Sequence, residues 1–107
     1  MKTTNQPAAR TAVQLLDAVA AQRKHPDAFE IPTRKNRHAT NAGDTVRIGF
    51  IHANQTERMW VRITSRHGDT LHGNLRNVPF LLTEHLIHGQ EITFRDKNIL
   101  DIQGIGK

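Results

Sequence analysis

Residues 43–63, GDTVRIGFIHANQTERMWVRI, decide the fold, because their apolar side chains recur at every second position. The apolar positions share one parity in each half of the stretch: Val46, Ile48 and Phe50, then Met59, Val61 and Ile63. Alternation with this period puts successive side chains on opposite faces of an extended chain. The stretch therefore predicts two half-buried strands separated by a turn at residues 53–56.

Three further short strands are predicted downstream by the same pattern. Their apolar residues are Leu71 and Leu75, then Ile92 and Phe94, then Ile99 to Ile102. Polar turns at residues 67–69 and 96–98 separate them, and residues 83–88 before Gly89 indicate one helical turn. Gly49 and Gly73 are expected where the strands bend. Five short antiparallel strands joined in this way predict a small barrel.

Residues 7–24 have a helical pattern instead. Their apolar stripe consists of Ala12, Leu15, Leu16 and Val19, and Pro26 forbids continuation of the helix. The whole chain is therefore predicted to be mainly β with one N-terminal helix, an α+β fold in which the helix packs on the barrel. Residues 1–42 would hold the helix and a basic loop, residues 43–107 the barrel, and the two parts would form one folded unit.

The chain is basic, with fifteen Lys and Arg against ten Asp and Glu. The excess lies before residue 48, and it includes Arg34, Lys35 and Arg37 in a polar stretch without period at residues 33–41. We expect this stretch to be a loop that follows a short extended piece pinned by Phe29 and Ile31. This stretch is either a solvated linker or a segment whose cations contact the phosphates of nucleic acid.

Cysteine is absent from the sequence, which excludes disulfides, thiolate metal ligands and a Cys nucleophile. The first ten residues lack the pattern of a signal peptide, and no apolar stretch is long enough to span a bilayer. We predict a cytoplasmic protein without a membrane partner or a cofactor.

Strand parity also singles out a candidate surface around the one tryptophan. If Met59 and Val61 point inward, Arg58, Trp60 and Arg62 point outward together. Arg47 and His72 join this face if the registers align. Trp and Arg are enriched at binding hot spots, and an aromatic among cations also holds single-stranded nucleic acid. Two interpretations stay open: an exposed ligand patch, or a tryptophan covered by the helix.

Catalytic and metal sites are not predicted. Among the seven histidines, His85 and His88 could share one face of the short helical turn and bind a metal together, but the sequence places no second ligand pair. The nucleophile and phosphate-loop motifs of enzymes are missing, and no carboxylates are paired. Glu57 is expected to form an ion pair with Arg58, and Asp69 to form a turn.

The stretch of residues 43–102 resembles the YegJ-like family of small bacterial proteins. The resemblance is carried by Gly43-Asp44-Thr45-Val46 with Phe50, Glu57-Arg58-Met59-Trp60-Val61, Gly73-Asn74-Leu75 with Asn77-Val78-Pro79, and Gly89-Gln90-Glu91-Ile92 with Phe94, Ile99 and Asp101. It implies an SH3-like type of barrel and no known activity. Family patterns carry Asp where Gln90 stands, which affects a turn. Related small bacterial domains are proposed to be immunity proteins, which implies a protein ligand.

The sequence therefore predicts a non-catalytic protein-binding module, immunity-like or inhibitor-like. It would use the Trp60 face, which consists of Trp60, Arg47, Arg58, Arg62 and His72, or the rim at residues 77–82. The apolar run of this rim is long enough to leave part of it exposed. The alternative is a nucleic-acid-binding barrel that uses the basic loop and the Trp60 face.

Overall fold

The computed structural model describes residues 13–104. Within this range the chain forms six antiparallel strands, which are β1 (Gln14–Leu15), β2 (Thr45–His52), β3 (Gln55–His67), β4 (Thr70–Leu75), β5 (Glu91–Arg95) and β6 (Ile99–Ile102). The sheet order is β1-β2-β3-β4-β5, and β6 pairs with β2. The sheet curls into a half-barrel. The predicted mainly β, barrel-like fold is confirmed, although one strand more than expected is present.

The interior is built by the predicted alternation. The buried side chains of β2 and β3 have the parity of Val46 and Met59, and those of β4 and β5 also alternate. Strand β6 departs from this rule, because the adjacent Ile99 and Leu100 are both buried. The main apolar core consists of Val46, Ile48, Phe50, Met59, Val61, Ile63, Leu71, Leu75, Leu82, Leu86, Ile92, Phe94, Ile99 and Ile102. Burial of this surface is the main force that closes the sheet.

The predicted N-terminal helix is wrong in part. Helix α1 covers only Ala18–Lys24, and Gln14–Leu15 forms β1, paired with Ile51 and Phe50 of β2. The Asp17 side chain caps α1 by accepting the N–H of Ala20 at 2.9 Å. Pairing with the edge of β2 thus overrides the helical propensity of Gln14 and Leu15. The predicted stretch before residue 13 lies outside the described residues.

The predicted basic loop is also wrong, because Arg34–His38 forms a second short helix, α2. Thr33 caps it, since its hydroxyl accepts the N–H of Asn36 at 3.1 Å. The turn predicted at residues 96–98 is the 3₁₀ turn Asp96–Asn98. In the described part of the chain, no helix has the length and hydropathy needed to cross a bilayer.

A second apolar cluster lies on the outer face of the sheet. It contains Ala18, Ile31 and Leu100, with Leu16, Val19 and Phe29 packed against it. Helix α1 and the extended piece predicted at residues 29–31 are thus attached to the outside of β2 and β6. Gly49 lies under this layer, since a Cβ added there would be 3.0 Å from the Cβ of Leu16.

Gly73 lies where β3 has a register shift between Ile63 and Ser65. A Cβ added at Gly73 would meet the carbonyl oxygen of Arg62 at 2.4 Å and Cγ1 of Val61 at 2.7 Å. The bend predicted at this glycine therefore depends on a close backbone approach that no other residue permits.

Candidate functional site

The loop between β4 and β5 packs Leu82 and Leu86 into the barrel core and is held by Glu57. The Glu57 carboxylate accepts the backbone N–H groups of Phe80 at 2.7 Å, Leu81 at 2.9 Å and Leu82 at 3.0 Å. Partial burial acts to raise the pKa of Glu57, but the N–H groups of Phe80, Leu82 and Leu81 together outweigh it and lower that pKa. The expected ion pair with Arg58 is replaced by this bonding to the backbone.

This loop presents large apolar side chains to solvent. The exposed fractions are 84% for Phe80, 78% for Val78 and 44% for Leu81, and Ile87 nearby is 67% exposed. Pro79 and Leu82 are buried in the same segment, so the loop is anchored between its exposed residues. We call residues 77–82 the Phe80 loop. Exposed apolar residues grouped in this way are typical of binding surfaces.

The outward face of β3 carries Trp60, which is half-buried. The guanidinium carbon of Arg47 lies 4.7 Å from the centroid of the indole ring, a cation–π contact. Arg47 is the register partner of both Trp60 in β3 and Asp101 in β6. Its Nε is buried without a hydrogen-bond partner within residues 13–104.

The Trp60 face adjoins the Phe80 loop. The N–H of Trp60 donates to Oδ1 of Asn77 at 2.6 Å, and its carbonyl accepts the N–H of Arg76 at 2.9 Å. Arg58, Arg62 and Arg76 are exposed, and within residues 13–104 none of them forms an ion pair. An apolar loop thus borders a face rich in unpaired arginines.

The structure does not bring every predicted residue to the side chain of Trp60. Arg58 lies over the ring of Phe29, 5.3 Å from its centroid, at the edge of the outer layer. His72 points outward as expected, but it pairs with Ser65, and its Nδ1 lies 3.1 Å from Oγ1 of Thr93. Its register position therefore separates His72 from the surroundings of Trp60.

The predicted phosphate contacts differ in exposure. Arg34 and Lys35 are exposed on α2, whereas Arg37 is only 9% exposed and donates from Nη1 to the carbonyl of Pro32 at 2.6 Å. Burial lowers the pKa of Arg37, with Asp96 acting in the opposite direction and Arg34 lowering the pKa further. Arg37 thus helps to hold α2 against the segment before it through the carbonyl of Pro32.

Arg66 near the end of β3 joins α2 to the barrel. Its Nε donates to the carbonyl of Thr40 at 2.6 Å, and its Nη2 donates to the carbonyl of Arg37 at 3.1 Å and to Oδ1 of Asp96 at 2.8 Å. Asp96 also contacts His38, because Nδ1 of His38 lies 2.7 Å from Oδ2 of Asp96. Sequence reasoning missed this role of Arg66, because its partners are distant in the chain.

The histidines form contacts with one another rather than a ligand set. The rings of His52 and His85 stack with centroids 3.9 Å apart, and those of His67 and His72 meet edge to face at 6.0 Å. Across residues 13–104, no group of three or more His, Cys, Asp or Glu side chains could hold a metal ion.

Comparison of the chain with protein-family models, with curated proteins and with solved structures finds no match in any of the three. The surfaces themselves therefore carry the functional argument.

Proposed function

We propose that this protein is a non-catalytic binding module whose ligand is an acidic protein segment with an apolar side chain that packs on the Phe80 loop. The single observation that carries the proposal is Phe80, 84% exposed on a backbone that the Glu57 carboxylate holds at three N–H groups. A loop fixed before binding loses little conformational entropy when the complex forms. An exposed aromatic on such a loop has the character of a hot-spot anchor.

Charge supports an acidic partner. Arg76 directly precedes the Phe80 loop, and Arg62 lies two residues along β3 from Trp60, whose N–H donates to Asn77 of that loop. Both arginines are exposed, and neither has a carboxylate partner among residues 13–104. Cations at the edge of an interface steer acidic partners and raise the association rate. The partner would thus carry Asp or Glu around a site that accepts Phe80 and Val78.

The nucleic-acid alternative has less support. One face of the Trp60 ring already meets the guanidinium of Arg47, and the buried Arg37 is bonded to Pro32. Arg34 and Lys35 stay exposed and are the remaining phosphate contacts of that alternative. Titration with labelled single- and double-stranded oligonucleotides at low salt tests it directly, because phosphate binding is strongest there.

The proposal extends to the setting of the protein. We place it in the cytoplasm, since it has no cysteine. An immunity-like or inhibitor-like role, the SH3-like type of barrel and membership in the YegJ-like family all rest on the resemblance of residues 43–102 and stay predictions.

A displayed library of random peptides tests the proposed chemistry without a known partner. Selection on the wild-type protein should enrich peptides that combine acidic and apolar residues. Phe80→Ser should weaken the binding of a selected peptide about thirtyfold, the effect of removing a hot spot, whereas Phe80→Leu should retain most of it. Far-UV circular dichroism checks that both variants are folded.

Charge-matched variants separate the arginine contribution from net charge. Arg62→Gln combined with Arg76→Gln should slow association of the selected peptide, whereas Lys24→Gln combined with Lys35→Gln removes the same charge elsewhere and should not. Peptides without acidic enrichment, or equal binding to Phe80→Ser, would refute the proposal. Self-association that is lost in Phe80→Ser would instead assign the surface to a second copy of the chain.

A further inference from the structure

A cleft of about 610 Å³ lies between α1, α2 and the 3₁₀ turn Asp96–Asn98. Binding sites for small molecules have volumes of roughly 300–1,000 Å³. The described residues that line the cleft come from these elements and from Asp17, Asp69 and Arg95, so the cleft is separate from the Phe80 loop.

The lining of the cleft is strongly charged. The five permanent cations in it are Arg23, Arg34, Arg37, Arg95 and Lys97. The three carboxylates are Asp17, Asp69 and Asp96. Cations thus exceed carboxylates by two in a cleft open to solvent, which attracts anions.

All three carboxylates are already engaged. Asp17 lies 3.8 Å from Nζ of Lys97, and Asp69 lies 3.8 Å from Nη1 of Arg95. Asp96 is shared by Arg66 and His38. Within residues 13–104, Arg23 and Arg34 have no ion-pair partner. These two cations face the cleft uncompensated.

Helix geometry brings like charges together in the cleft. Arg34 and Arg37 are three residues apart on α2, so they share one face, whereas Lys35 does not line the cleft. Arg37 is 9% exposed, and its buried Nε has no hydrogen-bond partner among the described residues. A bound anion between these guanidinium groups would relieve their repulsion.

We propose that this cleft binds a phosphate-bearing small molecule through Arg23 and Arg34, with the buried Arg37 adding positive charge beneath them. Guanidinium groups hold phosphate oxygens with paired, charge-assisted hydrogen bonds. The volume of the cleft exceeds that of one phosphate and leaves room for a group attached to it. The site uses no residue of the Phe80 loop, so it is independent of the proposed function.

Calorimetric titration with metal-free nucleoside triphosphate, inorganic tripolyphosphate and inorganic phosphate tests the proposal. Arg34→Gln, an exposed change, should weaken binding about tenfold, the effect of losing one charge-assisted contact. Lys35→Gln is the matched control, because it removes the same charge from the same helix outside the cleft, and it should change binding less than about twofold. Tighter binding of the nucleoside triphosphate than of tripolyphosphate identifies a nucleotide, and equal binding of these two identifies the phosphate chain alone.

Three outcomes would overturn the proposal. The first is no binding of any of the three probes at millimolar concentration. The second is equal weakening by Arg34→Gln and Lys35→Gln, which would show general electrostatic attraction. The third is tighter binding of a single-stranded oligonucleotide than of the triphosphate with the same sensitivity to Arg34→Gln, which would assign the cleft to nucleic acid.

Discussion

Glu57 and Arg66 lie toward opposite ends of β3, and each holds a neighbouring segment against the barrel by opposite chemistry. The Glu57 carboxylate accepts hydrogen bonds from three backbone N–H groups of the Phe80 loop. The Arg66 guanidinium donates hydrogen bonds to carbonyl groups at the end of α2 and before β4, and it also donates to the carboxylate of Asp96. Each side chain acts on backbone, so the segment it holds is free to carry functional side chains outward.

The two contacts differ in burial. The side chain of Arg66 is only 12% exposed, and it faces the partly buried carboxylate of Asp96. Glu57 is half-buried and its loop is largely exposed. Because hydrogen bonds of charged groups matter more when the partners are shielded from water, Arg66 should contribute more to stability than Glu57.

The largest effect is expected for Arg66→Met, which keeps the apolar stem and removes the guanidinium. The change removes the guanidinium that bonds to Asp96 and to three backbone carbonyls, and it should lower the free energy of unfolding by about 3 kcal/mol. Arg62→Met on the same strand is the control, because Arg62 is exposed, and it should change stability by less than about 0.5 kcal/mol. Urea denaturation measures both, and equal losses would contradict the role of Arg66.

Glu57→Ala should have the next largest effect, a loss of about 2 kcal/mol, because three backbone N–H groups lose a charged acceptor. Glu84→Ala is the matched control in an exposed position of the same β4–β5 connection. Amide hydrogen exchange should rise at Phe80, Leu81 and Leu82 in Glu57→Ala alone. Unchanged exchange there would mean that the loop is held by other contacts.

Acid should remove the contribution of Glu57. Its pKa in the folded protein lies below the ordinary value of 4.5, so its stabilisation is complete above that pH and is lost as the pH falls through the folded pKa. The difference in unfolding free energy between wild type and Glu57→Gln should therefore shrink from about pH 7 to about pH 3. A difference that stays constant would exclude a carboxylate contact.

The smallest effect is expected for Phe80→Ser. Because Phe80 is 84% exposed, its removal should change the free energy of unfolding by no more than about 0.5 kcal/mol. Leu82→Ala in the same loop is the contrast, since Leu82 is 1% exposed and its truncation should cost about 3 kcal/mol. Thermal denaturation compares the two. A large loss in Phe80→Ser would mean that Phe80 is structural.

The barrel could be predicted because its cause is local and periodic. The alternation around Ile48 and Val61 places side chains in a core without knowledge of any partner strand. The helix predicted over Gln14–Leu15 is wrong because the free edge of β2 satisfies that backbone, an effect from about forty residues away that local propensity does not include. The helix at Arg34–His38 was missed because it has no apolar period, although Pro32 and Thr33 are a start signal.

The candidate site was predictable only in part. Parity correctly placed Trp60 and Arg58 on the outward face, and composition drew attention to the apolar run of the Phe80 loop. Parity could not show that Arg47 packs on the indole, nor that Glu57 and Arg66 hold segments far along the chain. Such contacts join residues that are close in the folded chain but far apart in the sequence, and no spacing in the sequence predicts them.

The arrangement of strands on β2 also has a consequence for synthesis and folding. One edge of β2 is shared by β1, which pairs with Phe50 and Ile51, and by β6, which pairs with Val46 to Ile48. During translation β1 is present when β2 emerges, whereas β6 follows only after the whole barrel wall has been made. Until then, half of that edge has unpaired backbone groups that can template pairing with another chain. The nascent protein is therefore vulnerable to aggregation at this edge until β6 arrives.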